Sequence, residues 1–154
     1  MSAASNYLEA KLLDHVLKFG NGSVTVGTGS GFAPPATLYL ALFINTSGNA
    51  ATNLEAGTLT DEVATAGTTA YARQTIAFDA ATGTSPCSSA NTSTITFPTC
   101  TNVAWGTITH VAITDSATRA AGNVLFYGAV TTSKTIDVGD TFQVSAGNLT
   151  IALA

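Results

Sequence analysis

The feature that most constrains the fold is a series of short segments in which apolar and polar residues alternate, separated by turn residues about every 8 to 12 positions. In the clearest segment, residues 37–44, both alternating sets are apolar, so this strand is expected to be buried on both faces or to lie under the helix. Eight strands are predicted, at residues 37–44, 71–78, 92–97, 107–114, 124–130, 135–138, 141–144 and 149–153. A ninth, short strand is predicted at 23–26.

This spacing favours a β-sandwich or barrel over alternating β and α units. Eight strands in two sheets is the jelly-roll arrangement, so the chain is predicted to be mainly β, a jelly-roll-like β-sandwich of about eight strands. The pattern does not determine the topology, and an immunoglobulin-like sandwich remains open. Residues 45–69 have weak periodicity and residues 79–90 are predicted to form a loop.

One amphipathic helix is predicted at the N-terminus, over residues 6–19. Asn6 and Glu9 have the spacing of a capping box, and Gly20 is a typical helix stop. The apolar face of this helix consists of Leu8, Leu12, Val16 and Phe19. A helix of this length is marginal alone, so it must dock on its own β domain or on a neighbouring chain. The predicted organisation is a helical arm at 1–20 and a β-sandwich domain at 21–154.

Charged residues are scarce: they make up 9% of the chain, against about 25% in ordinary soluble domains. This indicates a surface largely covered by partners, although a β domain coated with Thr and Ser is an alternative. The five basic residues are scattered, which argues against nucleic-acid binding. No apolar run approaches the ~20 residues of a membrane span, and the first residues do not resemble a signal peptide, so we expect a protein made and kept in a cytoplasm.

Titratable residues do not form a pattern typical of an active site, so no enzymatic activity, cofactor or metal is expected. His15 and His110 are assigned structural roles on the helix and in a strand. The carboxylates of Asp137 and Asp140 are interpreted as turn residues, and those of Asp61–Glu62 as solvated. Two cysteines cannot form a disulfide scaffold or a complete zinc site.

Cys87 and Cys100 therefore have two interpretations. They are a pair of free thiols, the default for a cytoplasmic product, or they form one bond that closes the loop between them. Pro86 and Pro98 bracket the intervening strand, so the two ends could meet. The sequence does not decide between these alternatives.

A resemblance extends over nearly the whole length and rests on the order of several short stretches. These are Asn6–Glu9, Leu12–His15, Pro35–Phe43, Tyr71–Gln74, Trp105–Ile113, Leu125–Ala129, Val138–Phe142 and Ala146–Thr150. Together they resemble a family of small tailed-phage virion proteins, whose members are often labelled hypothetical or tail-fibre proteins. Some of them look like the jelly-roll cement proteins that decorate phage capsids.

The resemblance implies a structural virion protein without catalysis, made in the host cytoplasm and placed on the capsid exterior. As a cement or decoration protein it would cross-link major capsid protein subunits and associate with itself as a dimer or trimer. A tail or tail-fibre structural or adhesion protein of the same virion is the alternative. Neither nucleic acid nor membrane is expected as a partner. The predicted contact residues are Leu8, Leu12, Val16, Phe19, Tyr39 and Trp105.

Overall fold

The computed structural model describes residues 3–5, 7–8, 35–66, 68–82 and 87–153. Within these ranges the chain is mainly β, as predicted, with nine strands and one short helix. The elements are β1 (Ala3–Ala4), β2 (Leu38–Phe43), α1 (Ala50–Glu55), β3 (Gln74–Ile76), β4 (Cys87–Ala90), β5 (Ile95–Thr96), β6 (Gly106–Thr114), β7 (Val124–Ile136), β8 (Gln143–Val144) and β9 (Thr150–Leu153).

The main layer is a five-stranded antiparallel sheet with the order β1-β7-β6-β2-β3. β6 and β7 form its longest ladder, which runs from the pair Gly106–Ile136 to the pair Thr114–Val124. β2 lies between β6 and β3, with Leu40 opposite Ile113. Both alternating sets of β2 are apolar because residues 40–43 are buried on both faces, whereas Leu38 and Tyr39 at the start of the strand are half-buried.

The two faces of the sheet contact different apolar clusters. Leu40 and Leu42 belong to the larger cluster, whereas Ala41 and Phe43 belong to a second one together with Ala112. Because successive side chains of a strand point to opposite faces, the two clusters lie on opposite sides of the main sheet. The predicted burial on both faces is confirmed for residues 40–43, whereas Thr37 is exposed and Leu38, Tyr39 and Ile44 are partly buried.

A second β layer packs over the larger cluster. It consists of two small antiparallel sheets, β4 with β9 and β5 with β8. Ile95, Phe97, Phe142 and Leu149 extend from this layer into the cluster. Two antiparallel layers with a shared apolar interior are the arrangement of a β-sandwich, and the predicted fold class is confirmed at this level.

The opposite face of the main sheet is covered by α1, which lies inside the segment predicted to have weak periodicity. Leu54 of α1 is buried with Phe43 and Val124. The first backbone N–H of the helix, at Ala50, donates to Asn45 Oδ1 at 2.8 Å. A helix of six residues spans fewer than two turns, so it is too short to show a helical repeat in the sequence.

Three strand predictions differ from the structure. The segments predicted at 124–130 and 135–138 form one strand, β7, because residues 130–133 bulge opposite Thr109 and the ladder resumes beyond them. β4 lies in the predicted loop 79–90, where its partner β9 is distant in sequence. β3, β5 and β8 are shorter than predicted.

Two N-terminal predictions fall mostly outside the described residues. The short strand at 23–26 lies there entirely. Of the helix predicted at 6–19, Tyr7 and Leu8 are described, and both have helical backbone conformation. The helix as a whole and the division into an arm at 1–20 and a domain at 21–154 stay predictions.

Candidate interaction site

The predicted contact residue Leu8 is buried against its own chain. Its side chain packs on Leu125, with Leu38 and Phe126 beside it. Ser5, which follows β1, fixes this position, because its N–H donates to the carbonyl of Leu125 at 3.1 Å. The Ser5 hydroxyl donates to the carbonyl of Val124. The N-terminus is thus attached along the edge of β7. Leu12, Val16 and Phe19 lie outside the described residues.

Tyr39 and Trp105, the two aromatic residues predicted to contact partners, lie on opposite sides of the main sheet. Tyr39 is half-buried in β2 and shares its side with Ala41. Trp105 is 3% exposed and belongs to the larger cluster. Because the indole is enclosed within the chain's own core, its role in this structure is to support the fold. Partner contacts of these six predicted residues stay a prediction.

Trp105 is held by a hydrogen bond and by ring contacts. Its indole N–H donates to the carbonyl of Thr69 at 2.8 Å. The ring meets Tyr71 edge-on, with centroids 5.5 Å apart, and Phe97 at 6.3 Å. Edge-to-face contacts of this kind add to the free energy gained by burial. The backbone of residues 68–71 is therefore attached directly to the aromatic core.

Glu62 and Arg73 form a buried ion pair that the sequence did not reveal. Glu62 was expected to be solvated, but it is 2% exposed, and Arg73 is 6% exposed. The Arg73 Nε lies 2.7 Å from Glu62 Oε1, and its Nη2 lies 2.8 Å from Oε2. This bidentate geometry is the strongest that two such side chains can adopt.

The same pair binds the β6–β7 connection, residues 115–123. The remaining guanidinium nitrogen of Arg73 donates to Thr114 Oγ1 and to the carbonyls of Ser116 and Ala121, at 2.7 to 3.0 Å. The N–H of Ala120 donates to Glu62 Oε2 at 2.7 Å. The ion pair thus fixes the conformation of an otherwise irregular loop.

Tyr71 completes this network and fills a gap in the sheet. Its hydroxyl donates to Glu62 Oε1 and accepts from the backbone N–H of Leu42, each at 3.0 Å. Leu42 N lies where β3 no longer pairs with β2, so the Tyr71 hydroxyl replaces a strand as acceptor. Burial and the negative charge of Glu62 raise the pKa of Tyr71, which keeps its hydroxyl protonated.

Asp61 organises the turn before α1. Its carboxylate accepts from the N–H and hydroxyl of Ser47, from Thr46 Oγ1 and from Asn53 Nδ2. Burial alone would raise the pKa of Asp61, but the bonds from Ser47, Thr46 and Asn53 outweigh it and lower the pKa. Asp61, like Glu62, was expected to be solvated and is instead buried.

His110 is half-buried in β6, between Phe43 and Ala129 in the neighbouring strands. Its Nδ1 is 2.9 Å from the hydroxyl of Thr109. Burial lowers the pKa of His110, partly offset by the charge of Asp61, so the ring is neutral near pH 7. Within the described ranges, His, Cys, Asp and Glu side chains do not gather in groups that could hold a metal ion.

The loops at one end of the sandwich combine unusual backbone conformations with exposed apolar side chains. Thr68, Ala70 and Asn102 have φ of 58°, 60° and 58°, a region that residues other than Gly seldom adopt. Val103 is 49% exposed and Val138 57%, and these are the large hydrophobic residues found exposed in the described part of the chain. We call residues 101–104 and 137–141 the valine surface.

Cys100 joins the two halves of the valine surface from beneath. Its N–H donates to the carbonyl of Asp140 at 2.8 Å, and its carbonyl accepts from Gly139 N at 2.9 Å. The Cys100 thiol is free and buried, and it donates to the carbonyl of Val103 at 3.2 Å. These bonds hold Val103 and Val138 at the same end of the molecule.

Comparison with known proteins identifies one family. The family model described as podophage GP4 fiber I protein gp80 matches residues 3–152 of the chain. No curated protein sequence matches it significantly. No helix in the described ranges is long and apolar enough to cross a membrane.

Proposed function

The chain belongs to the podophage GP4 fiber I protein gp80 family and is a structural protein of a phage virion; we propose that it is a component of a fibre of that virion. The match over residues 3–152, which includes both β layers and α1, is the observation that carries this proposal. It replaces the capsid exterior as the first location to test, because the matching family is described as a fiber protein.

The complete hydrogen bonding of buried groups in the described part of the sandwich supports a structural role. Every buried side-chain N or O atom in the described ranges has a hydrogen-bond partner. Pairs of threonine hydroxyls also bridge neighbouring chain segments, as between Thr107 and Thr135 at 2.8 Å and between Thr99 and Thr141 at 3.1 Å. Satisfied polar groups and cross-strand pairs favour a single conformation, which a repeated building block requires.

A capsid cement or decoration protein is the second candidate, favoured by the weakly charged surface. The whole chain has nine acidic and five basic residues, so little charge must be desolvated when such a surface meets a shell lattice. In this role the partner is the major capsid protein, and the chain associates with itself as a dimer or trimer about a local symmetry axis. Many weak contacts on a lattice add through avidity.

Both candidates share a role without catalysis, nucleic-acid binding or membrane binding. The scattered positions of the basic residues support this part of the proposal. Assays of the purified chain on peptidoglycan, polysaccharide and ester substrates are expected to show no turnover. Activity that disappears in a His110→Ala variant would overturn it.

Locating the protein in purified particles distinguishes the two candidates. Particles are separated into tailless heads and complete virions, and the chain is quantified in each relative to the major capsid protein. A fibre component is expected in complete virions at few copies and is expected to be missing from tailless heads. Abundant chain on tailless heads would instead establish the cement role. If neither fraction contains the chain, its assignment as a virion component in this phage is wrong.

A further inference from the structure

We propose that the valine surface is a docking site for another virion protein, one that presents an apolar patch bordered by Lys or Arg side chains. This inference deepens the proposed structural role and rests on it. Neither the family match nor the predicted contact residues point to these loops.

The exposed valines lie outside the apolar clusters of the described fold. Val103 and Val138 are 49% and 57% exposed, although neighbouring apolar residues such as Trp105 and Ile136 are buried. The backbone bonds of Cys100 to Gly139 and Asp140 bring both valines to one end of the sandwich. Covering such side chains in a complex is favourable because it removes apolar surface from water.

Strained backbone occurs within the valine surface, at Asn102, and next to it, at Thr68, and hydrogen bonds support both residues. Thr68 is β-branched and has a positive φ, as does Asn102 beside it. Asn102 Nδ2 donates to the hydroxyl of Thr68 at 2.5 Å, and the hydroxyl of Thr101 donates to the carbonyl of Thr68 at 2.7 Å. Strain of this kind persists only where surrounding contacts impose it, and it clusters at functional sites.

The Trp105 indole attaches the loop residues Thr69 and Thr101 to the core. It donates to the carbonyl of Thr69, while the N–H of Thr101 donates to the same carbonyl at 3.2 Å. A loop held in this way loses little conformational entropy when it binds a partner. The exposed valines are thus presented by a preorganised surface.

The negative charge of the valine surface indicates which kind of partner it binds. Asp137 and Asp140 are exposed beside Val138, and residues 101–104 and 137–141 contain neither Lys nor Arg. Lys134, in β7, is the nearest cation along the chain on that side. A second copy docking through the same surface would oppose aspartate to aspartate, whereas basic residues around an apolar patch would complement it.

Incorporation into phage particles tests the proposal. The full-length chain is supplied to a phage that lacks its own copy, as wild type, as Val103→Asp/Val138→Asp and as a control, Thr132→Asp, in the exposed bulge of β7. Circular dichroism and thermal unfolding of the purified variants verify that all three fold. We expect incorporation of the valine variant to fall about tenfold or more, because it places carboxylates in an apolar interface, with the control near wild type.

A charge reversal tests the partner's basic border separately. Asp137→Lys is expected to lower incorporation severalfold, and Asp137→Asn to lower it less, since the attraction is replaced by repulsion only in the first. If the valine variant and Asp137→Lys are both incorporated at the wild-type level, the proposed docking site is wrong. If light scattering shows that the valine substitutions instead dissociate an oligomer of the purified chain, the surface joins copies, and the proposed partner is wrong. Failure of wild type itself to enter particles would refute the virion role rather than this surface.

Discussion

Arg73 and Glu62 face each other through two parallel hydrogen bonds of 2.7 and 2.8 Å, with both side chains fully enclosed. The β6–β7 connection, residues 115–123, is hydrogen-bonded to both side chains. The hydroxyl of Tyr71 and the backbone N–H of Ala120 each donate a hydrogen bond to Glu62. The ion pair therefore links three parts of the chain, which are the segment that carries Glu62, the segment that carries Arg73 and the β6–β7 connection.

Glu62→Gln is expected to destabilise the protein by about 3 to 5 kcal/mol, because it leaves the Arg73 charge buried without a counter-charge. The measurement is the free energy of unfolding in urea. Asp79→Asn, which removes an exposed carboxylate, is the control and should change stability by less than about 0.5 kcal/mol. Equal stability of the two variants would contradict the importance of the pair.

Leu54→Ala is expected to cost about 2 to 5 kcal/mol, since Leu54 is the fully buried residue through which α1 covers the main sheet. Thermal unfolding provides the measurement. Val138→Ala removes an exposed apolar side chain and is expected to change stability by at most about 0.5 kcal/mol. A small effect of Leu54→Ala would mean that α1 contributes little to the core.

Gly122→Ala should destabilise more than Gly57→Ala, although both glycines have a φ near +80°. At Gly57 the new Cβ enters open space, so only the backbone cost of about 1 to 2 kcal/mol remains. At Gly122 it would lie 2.5 Å from both Asp115 Oδ1 and Ser116 Cβ, which adds a further ~1 to 3 kcal/mol. Urea unfolding of both variants measures the difference; equal losses would show that the loop yields easily.

Asp61 is expected to make stability depend on acidic pH. Because the hydrogen bonds from Ser47, Thr46 and Asn53 lower its folded pKa below the ordinary 3.8, folding favours the ionised form. Its contribution is complete above pH 3.8 and is lost as pH falls through the folded pKa. Unfolding measured from pH 7 down to pH 2 should show a smaller acid loss in Asp61→Asn than in wild type. An unchanged pH profile would count against this assignment.

The single tryptophan gives a direct test of the core. Trp105 is enclosed by Tyr71 and Phe97, so its fluorescence emission should be blue-shifted in the native state and move to longer wavelength on unfolding. Native quenching by acrylamide should be weak. Emission typical of a solvated indole in the folded protein would place Trp105 at the surface and revive its predicted partner contact.

Part of the fold follows from local sequence because strand alternation is a local property. Residues 37–44 show two interleaved apolar sets, and residues 40–43 of β2 are buried on both faces. The segment at 107–114 was located almost to the residue as β6. In both segments each side chain's direction is fixed by its position in the strand, so no knowledge of the partner strand was needed.

Other features depend on partners far away in the chain. β4 forms where β9 supplies its hydrogen bonds, and β7 continues through its bulge because β6 pairs with both ends. α1 is too short to show a helical repeat in the sequence, and it is held in place because Leu54 packs on the sheet. These elements exist through long-range pairing and packing, which override weak local preferences.

The sequence by itself determined the alternating strands, the scarcity of charge and the resemblance to phage virion proteins, since these reside in residue types and their order. Only the tertiary structure decided that Glu62 and Arg73 are buried together, that Trp105 supports the core and that Val103 and Val138 are both exposed at the same end of the sandwich. A residue's charge or hydropathy determines the free energy of burying it. Whether it is buried depends on which distant segments the fold brings against it.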